Sequence, residues 1–146
     1  MRNESSKPRI VLDTKPLIKL FAKEEGWEAV QRILSSVEDG EIETAISVVT
    51  LTEIYYKYLQ EKRADLARIR IEGLRYAVYI KKLNINEEVA IKAGEFKGKY
   101  NVPVADAFIA AAAYFEGSTV ISDDADFKRI AEIKTLTEKE FLTRLD

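Results

Sequence analysis

The chain contains no cysteine and no histidine. Those two absences remove disulfides, thiolate and imidazole zinc sites, cysteine nucleophiles and histidine general bases together. Any catalysis must therefore rest on carboxylates, hydroxyls, lysines or a bound ion. No apolar run approaches the roughly 18 residues that a membrane-spanning helix requires. The opening stretch, Met1 to Lys7, is polar and followed by Pro8, without the apolar centre of a secretory signal. These features lead to the expectation of a cytoplasmic protein with no membrane association. An excess of positive charge is also lacking. With 23 Lys and Arg against 25 Asp and Glu the formal net charge is −2, so the whole molecule exerts no electrostatic pull on nucleic acid. Any such binding must come from a local basic patch or through bound cations.

What is present suits one globular domain. The 146 residues are 47% hydrophobic and 33% charged, enough apolar material for a single core. The expected organisation is an extended or disordered tail over residues 1–8 and one domain over residues 9–146. Arg9 to Leu12 is a short β-branched run ending at Asp13-Thr14, and Pro16 to Ala22 has helical spacing. Trp27 to Glu38 places Trp27, Val30, Ile33, Leu34 and Val37 on one helical face and stops at Asp39-Gly40. Thr44 to Ser47 reads as a second strand, and Ser47 or Thr50 as the cap of a helix carrying Leu51, Ile54, Tyr55, Tyr58 and Leu59. Ala64 to Tyr76 is amphipathic, Val78 to Leu83 an edge strand, and Asn86 opens a helix to Tyr100. After the Asn101-Val102-Pro103 boundary, Val104 to Phe115 is almost wholly apolar. Thr119 to Ile121 is a strand with Ser122 to Asp126 as its exit loop. Ile133 to Leu136 is a last short strand, and Thr137 starts a terminal helix. Alternation of this kind predicts an α/β protein, a three-layer α/β/α sandwich around a short, mainly parallel sheet with right-handed crossovers.

Acidic residues interrupt this pattern at four places. Asp13 follows Ile10-Val11-Leu12, Glu53 breaks an otherwise apolar and hydroxylic stretch, Asp106 heads the most apolar helix, and Asp123, Asp124 and Asp126 leave a strand. Each has an ordinary alternative: an N-cap for Asp13, a capping-box partner of Thr50 for Glu53, a first-turn dipole contact for Asp106, and a solvated loop for the last group. A shared explanation covers all of them. Carboxylates in apolar surroundings are costly unless paired or bound to a cation, and an all-oxygen set without histidine suits Mg²⁺ or Mn²⁺ rather than zinc. The chemistry that follows from such a site is phosphodiester hydrolysis.

Four segments, Ile10-Val11-Leu12-Asp13-Thr14, Ser47 to Ile54, Val104 to Ala113 and Val120 to Phe127, together resemble the PIN domains, especially the VapC-like toxins. The resemblance implies a metal-dependent endoribonuclease in which Asp13, Glu53 and Asp106 are the firm acidic positions. It places the fourth acid three residues before Phe127, at Asp124, with Asp126 as a helper and Asp123 as an extra acid. Thr14 and Ser122 match small hydroxyl positions that orient the carboxylates. The resemblance further implies an RNA substrate, a homodimer and an antitoxin partner. Tyr55, Tyr56 and Tyr58 are candidate contacts for those proteins, with core packing as the alternative. Lys57, Lys62, Arg63, Arg68, Arg70 and Arg75, and Lys97 and Lys99 with Tyr100, are candidate RNA contacts, with a solvated face as the alternative. Lys15 is unusual directly after the Asp-Thr pair. Two other functions remain in competition. One is a noncatalytic PIN-like domain that binds RNA or protein. The other is a phosphoryl-accepting receiver domain, which would need an acceptor aspartate at the end of a middle strand.

Overall fold

The computed structural model describes residues 7–145; residues 1–6 of the expected tail, and Asp146, lie outside the described residues. Lys7 and Pro8 are exposed, but the Pro8 carbonyl already accepts from the Glu43 amide at 3.0 Å. The chain runs β1 (Arg9–Leu12), α1 (Thr14–Ala22), α2 (Trp27–Glu38), β2 (Glu43–Ser47), α3 (Val48–Gln60), α4 (Ala64–Arg75), β3 (Ile80–Leu83), α5 (Glu87–Tyr100), α6 (Val104–Glu116), β4 (Thr119–Ile121), α7 (Ala125–Lys128), β5 (Thr135–Leu136) and α8 (Glu138–Leu145).

The strands form one five-stranded sheet in the order β3-β2-β1-β4-β5, and every pairing in it is parallel. The pleat explains how two cores arise from one sheet. Val11, Ala45 and Val120 point to one face, where Val89, Ala93 and Phe96 of α5, the alanine-rich stretch of α6 and Phe127 of α7 cover them. Ile10, Leu12, Ile46 and Ile121 point to the other, covered by α1, α2, α3, α4 and α8 through Leu17, Ile33, Ile54, Leu74 and Phe141. The result is the expected α/β/α sandwich. Alanine dominates α6 because Ala110, Ala111 and Ala113 are all fully buried on a helix that packs closely against both α5 and the sheet.

Several boundaries differ from the expectation. Helix α1 begins at Thr14 instead of Pro16, because Asp13 is its N-cap, so Pro16 sits within the first turn, where a missing N–H costs nothing. Strand β3 starts only at Ile80, and β5 is reduced to Thr135–Leu136. The stretch read as an exit loop contains the short helix α7, capped by Asp124, whose side chain accepts from the Asp126 amide. Helix α8 opens with a reciprocal capping box. The Glu140 amide donates to Thr137 Oγ1 at 3.1 Å and the Thr137 amide to Glu140 Oε1 at 2.9 Å.

The chain leaves β1 for β2 and β3 on one side, then crosses to β4 and β5 on the other. The switch point therefore lies between β1 and β4, and open parallel sheets place ligands beyond the carboxyl ends of strands at such a point.

Candidate active site

Asp13 ends β1 and Ser122 follows β4, and the two strands are drawn together past their last pair by a 3.1 Å hydrogen bond from the Asp13 amide to the Ile121 carbonyl. Both Asp13 oxygens are held: Oδ1 accepts from the Thr14 amide at 2.7 Å and Oδ2 from Ser122 Oγ at 2.8 Å. Asp13 thus caps a helix and faces the site at once, and its two readings are not alternatives. Ser122 Oγ also accepts from the Asp124 amide at 2.9 Å, tying β1 to the loop that carries the fourth acid.

Glu53 lies in the second turn of α3. Its helix is capped by Ser47, which accepts from the Val49 amide, so the capping-box role with Thr50 is corrected. Thr50 is buried, and Glu53 Oε1 instead accepts from Thr14 Oγ1 at 2.6 Å. Thr14 Oγ1 also lies 3.0 Å from Thr50 Oγ1. Since one hydroxyl has one proton, donating it to the carboxylate leaves Thr14 to accept from Thr50. Asp106 occupies the first turn of α6 after Pro103, which supplies no side-chain cap, and it is 8% exposed.

These carboxylates line one cleft of about 280 Å³, together with Thr14, Lys15, Ile18, Tyr56, Lys57 and Gln60. Oxygens of Asp106, Asp124 and Asp126 come within 4.8 Å of one another. The sequence left open whether Asp123 belongs with them. The structure turns it away, onto Lys19 Nζ at 3.1 Å, which also pairs with the buried Glu138 at 3.3 Å. Asp126 carries a cation of its own, Arg129, at 3.0 Å.

Crowding shows in the protonation equilibria. Burial, then the charges of Asp13, Asp124, Glu53 and Asp126, push the Asp106 carboxyl up to about 7. Burial also lifts Asp13 to about 6, against the hydrogen bonds from Ser122 and Thr14 that favour its charged form. Two buried acids held among further carboxylates are electrostatically incomplete, and a divalent cation with hard oxygen preference would complete the set.

Comparison with known proteins shows the family and the fold. The PIN-domain profile matches residues 10–133. The chain belongs to the PIN-domain family. Ribonuclease VapC4 of Mycobacterium tuberculosis is 29% identical over 100 residues, covering 65% of this chain and 77% of the relative. The fold is shared with VapBC2 from Rickettsia felis, solved bound to a DNA fragment of its promoter (TM-score 0.72, 17% identity, 88% of this chain and 98% of that one). It is shared too with DNA-bound VapBC from Salmonella typhimurium (TM-score 0.70, 21% identity, 90% and 98%).

Within this PIN domain the sequence reading missed three contributors. Lys19 and Glu138 fix the direction of Asp123, and Arg129 pairs with Asp126; all three are distant from, or unremarkable beside, the acids they serve. Gln60 was legible in principle, since Glu53, Lys57 and Gln60 recur at helical spacing. Of the basic residues considered for RNA, Arg63 is paired with Asp65, Arg70 covers the Phe21 ring at 4.7 Å, and Lys99 and Tyr100 both hold Glu132. Lys57 and Lys15 line the cleft. Tyr58 is in the core, whereas Tyr55 and Tyr56 are exposed. The receiver-domain alternative needs an aspartate at the end of a middle strand, and Asp13 stands at the end of β1, the middle strand of the sheet. Its two oxygens are both engaged, however, which is poor geometry for a phosphoryl acceptor. No described helix is long and apolar enough to cross a membrane.

Proposed function

We propose that this PIN domain, residues 9–146, is a metal-dependent endoribonuclease, with Asp13, Glu53, Asp106 and Asp124 holding one or two Mg²⁺ or Mn²⁺ ions and Asp126 as a further ligand. The observation that carries the reading is the cleft itself. Acids from four separate segments converge there at a switch point, and burial together with the neighbouring carboxylates raises the pKa of two of them, Asp13 and Asp106. When bound, such an ion supplies Lewis acidity and positive charge for phosphodiester hydrolysis. The chain's part is to hold the acids in place. Ser122 and the Thr14 amide fix both oxygens of Asp13, Thr14 Oγ1 fixes Glu53, and Asp106 is buried in the first turn of α6. Water attacks phosphorus and the bond to the 3′ oxygen breaks, leaving a 3′-hydroxyl and a 5′-phosphate.

The VapC and VapBC likenesses support a toxin of a toxin-antitoxin pair acting in the cytoplasm as a homodimer. A groove of about 740 Å³ between α1, α2 and α4, with Leu17, Phe21, Leu34, Ile69 and Leu74 in its lining, supports the protein partner. A noncatalytic binding domain is disfavoured, because a surface built only to bind phosphate gains nothing from clustered carboxylates. The test is cleavage of a mixed pool of structured and unstructured RNAs with Mn²⁺, Mg²⁺ or EDTA. Cleavage that needs the metal and is abolished by Asp106→Asn is expected; metal-independent cleavage, or an active Asp106→Asn, overturns the assignment.

A further inference from the structure

Helix α3 presents different residues to three surroundings. Thr50, Ile54 and Tyr58 are buried. Tyr55 and Leu59 are exposed and do not line the cleft. Glu53, Tyr56, Lys57 and Gln60, at i, i+3, i+4 and i+7, all line it, facing Lys15 and Ile18, themselves three residues apart on α1. Along α3 the cleft thus passes from a carboxylate to a phenol ring and an ammonium, and then to an amide. Four residues advance a helix by about 6 Å, so Lys57 stands one turn beyond Glu53, a distance of the same order as that between successive phosphates on an extended strand. Tyr56 is 47% exposed, so nearly half of it is open to solvent. Lys57 pairs with Glu61, at 2.8 Å in an exposed i, i+4 contact, which a phosphate readily replaces because such pairs are weak.

Resting on the ribonuclease reading, we propose that Tyr56, Lys57 and Gln60 form a subsite for one unpaired nucleotide next to the scissile phosphate. Tyr56 stacks on the base, Lys57 contacts the adjoining phosphate, and the Gln60 amide bonds to a base edge or sugar hydroxyl. A ring can stack only on a base whose face is free, so the subsite selects single-stranded RNA or a loop over a duplex. Lys57 and Lys15 line the same cleft as the carboxylates of Asp13, Glu53, Asp106 and Asp124, which makes them the places where an RNA backbone enters it.

The test uses the full chain, with the RNA that the wild type cleaves presented as a single strand, as a duplex with its complement, and with one base removed at each position flanking the cut. Tyr56→Ala is expected to raise KM roughly tenfold, while Tyr55→Ala, a change of equal exposure on the same helix, leaves KM unaltered. Removing the stacked base should cost the wild type the same factor and cost Tyr56→Ala nothing more. Lys57→Gln should lower the slope of log affinity against log salt by about 0.7, one single-strand phosphate contact. The subsite is overturned if Tyr56→Ala matches the wild type, if its loss adds to that of every abasic position, or if duplex is cut as well as single strand. In that case Asp106→Asn still abolishes cleavage and the ribonuclease reading stands. A folded wild type that neither cleaves the RNA pool nor binds a fluorescent mixed-sequence single strand removes both.

Discussion

At the scale of single residues, the raised acids make a statement about stability. Asp106 at about 7 and Asp13 at about 6, against an ordinary value of 3.8, bind protons more tightly in the folded state than in the unfolded chain. Their contribution to stability is complete below pH 3.8 and is lost as pH rises through 6 and 7. The metal-free protein is therefore expected to melt lower at pH 8 than at pH 5. Asp106→Asn, which removes the charge without changing the shape, should flatten that decline and raise the metal-free Tm at pH 8, while destroying activity. A melting series against pH in EDTA decides this; a Tm that rises from pH 5 to pH 8 would contradict it. Ser122→Ala deletes the donor to Asp13 Oδ2 and the acceptor of the Asp124 amide, and should destabilise the fold by about 1–3 kcal/mol, with weaker Mn²⁺ binding. Isothermal titration with Mn²⁺ on a variant shown to be folded would measure the second effect.

The same scale shows what the sequence could and could not reveal. Asp13, Glu53 and Asp106 were legible because each interrupts an apolar pattern, although Asp13 also caps α1 and Asp106 also lies in the first turn of α6. The family resemblance picked Asp124 over Asp123, but the residue pattern alone did not, because what turns Asp123 away is Lys19, 104 residues from Asp123 and 119 from its other partner Glu138. No local pattern encodes a partner that only tertiary folding supplies.

At the scale of elements, the network around Lys19 joins α1, the loop after β4 and the first residue of α8. Its geometry leaves Asp124 facing the cleft while Asp123 points away. Lys19→Met leaves the Glu138 carboxylate, 5% exposed, without its cation, and breaking such a buried pair costs on the order of 3 kcal/mol. The expected outcome is a lower denaturation midpoint together with weaker Mn²⁺ affinity, because the loop that carries Asp124 loses its anchor. A midpoint unchanged from the wild type would show that the pair contributes nothing. Elements with strong periodicity, such as α2, or with a long apolar run between clear boundaries, such as α6, were legible nearly to the residue. The four-residue α7 was not, since one turn of helix carries no period and depends on the Asp124 cap and the buried Phe127. The strand β3 began later than its apolar composition suggested, because Val78 and Tyr79 are exposed and the Ile80 amide closes a turn onto the Ala77 carbonyl at 3.1 Å.

At the scale of the whole molecule, the proposed ligands stand at positions 13, 53, 106 and 124, on α1, α3, α6 and α7 or at their caps, so nothing short of the complete sandwich assembles them. The unfolded chain has no comparable site, and metal binding is thereby folding energy. Mn²⁺ at a hundred times its Kd should stabilise the protein by about 2.7 kcal/mol, on the order of 5–10 °C in Tm for a domain of this size. The increment has a sign with pH that separates it from nonspecific ion effects. Protons and the cation compete for Asp13 and Asp106, so the gain should be full at pH 8 and shrink toward pH 5, opposite to the metal-free trend. Melting curves at both pH values, with and without Mn²⁺, test this, and Asp106→Asn should lose most of the increment. An equal gain in the variant, or one that grows as pH falls, would place the ion elsewhere on the molecule.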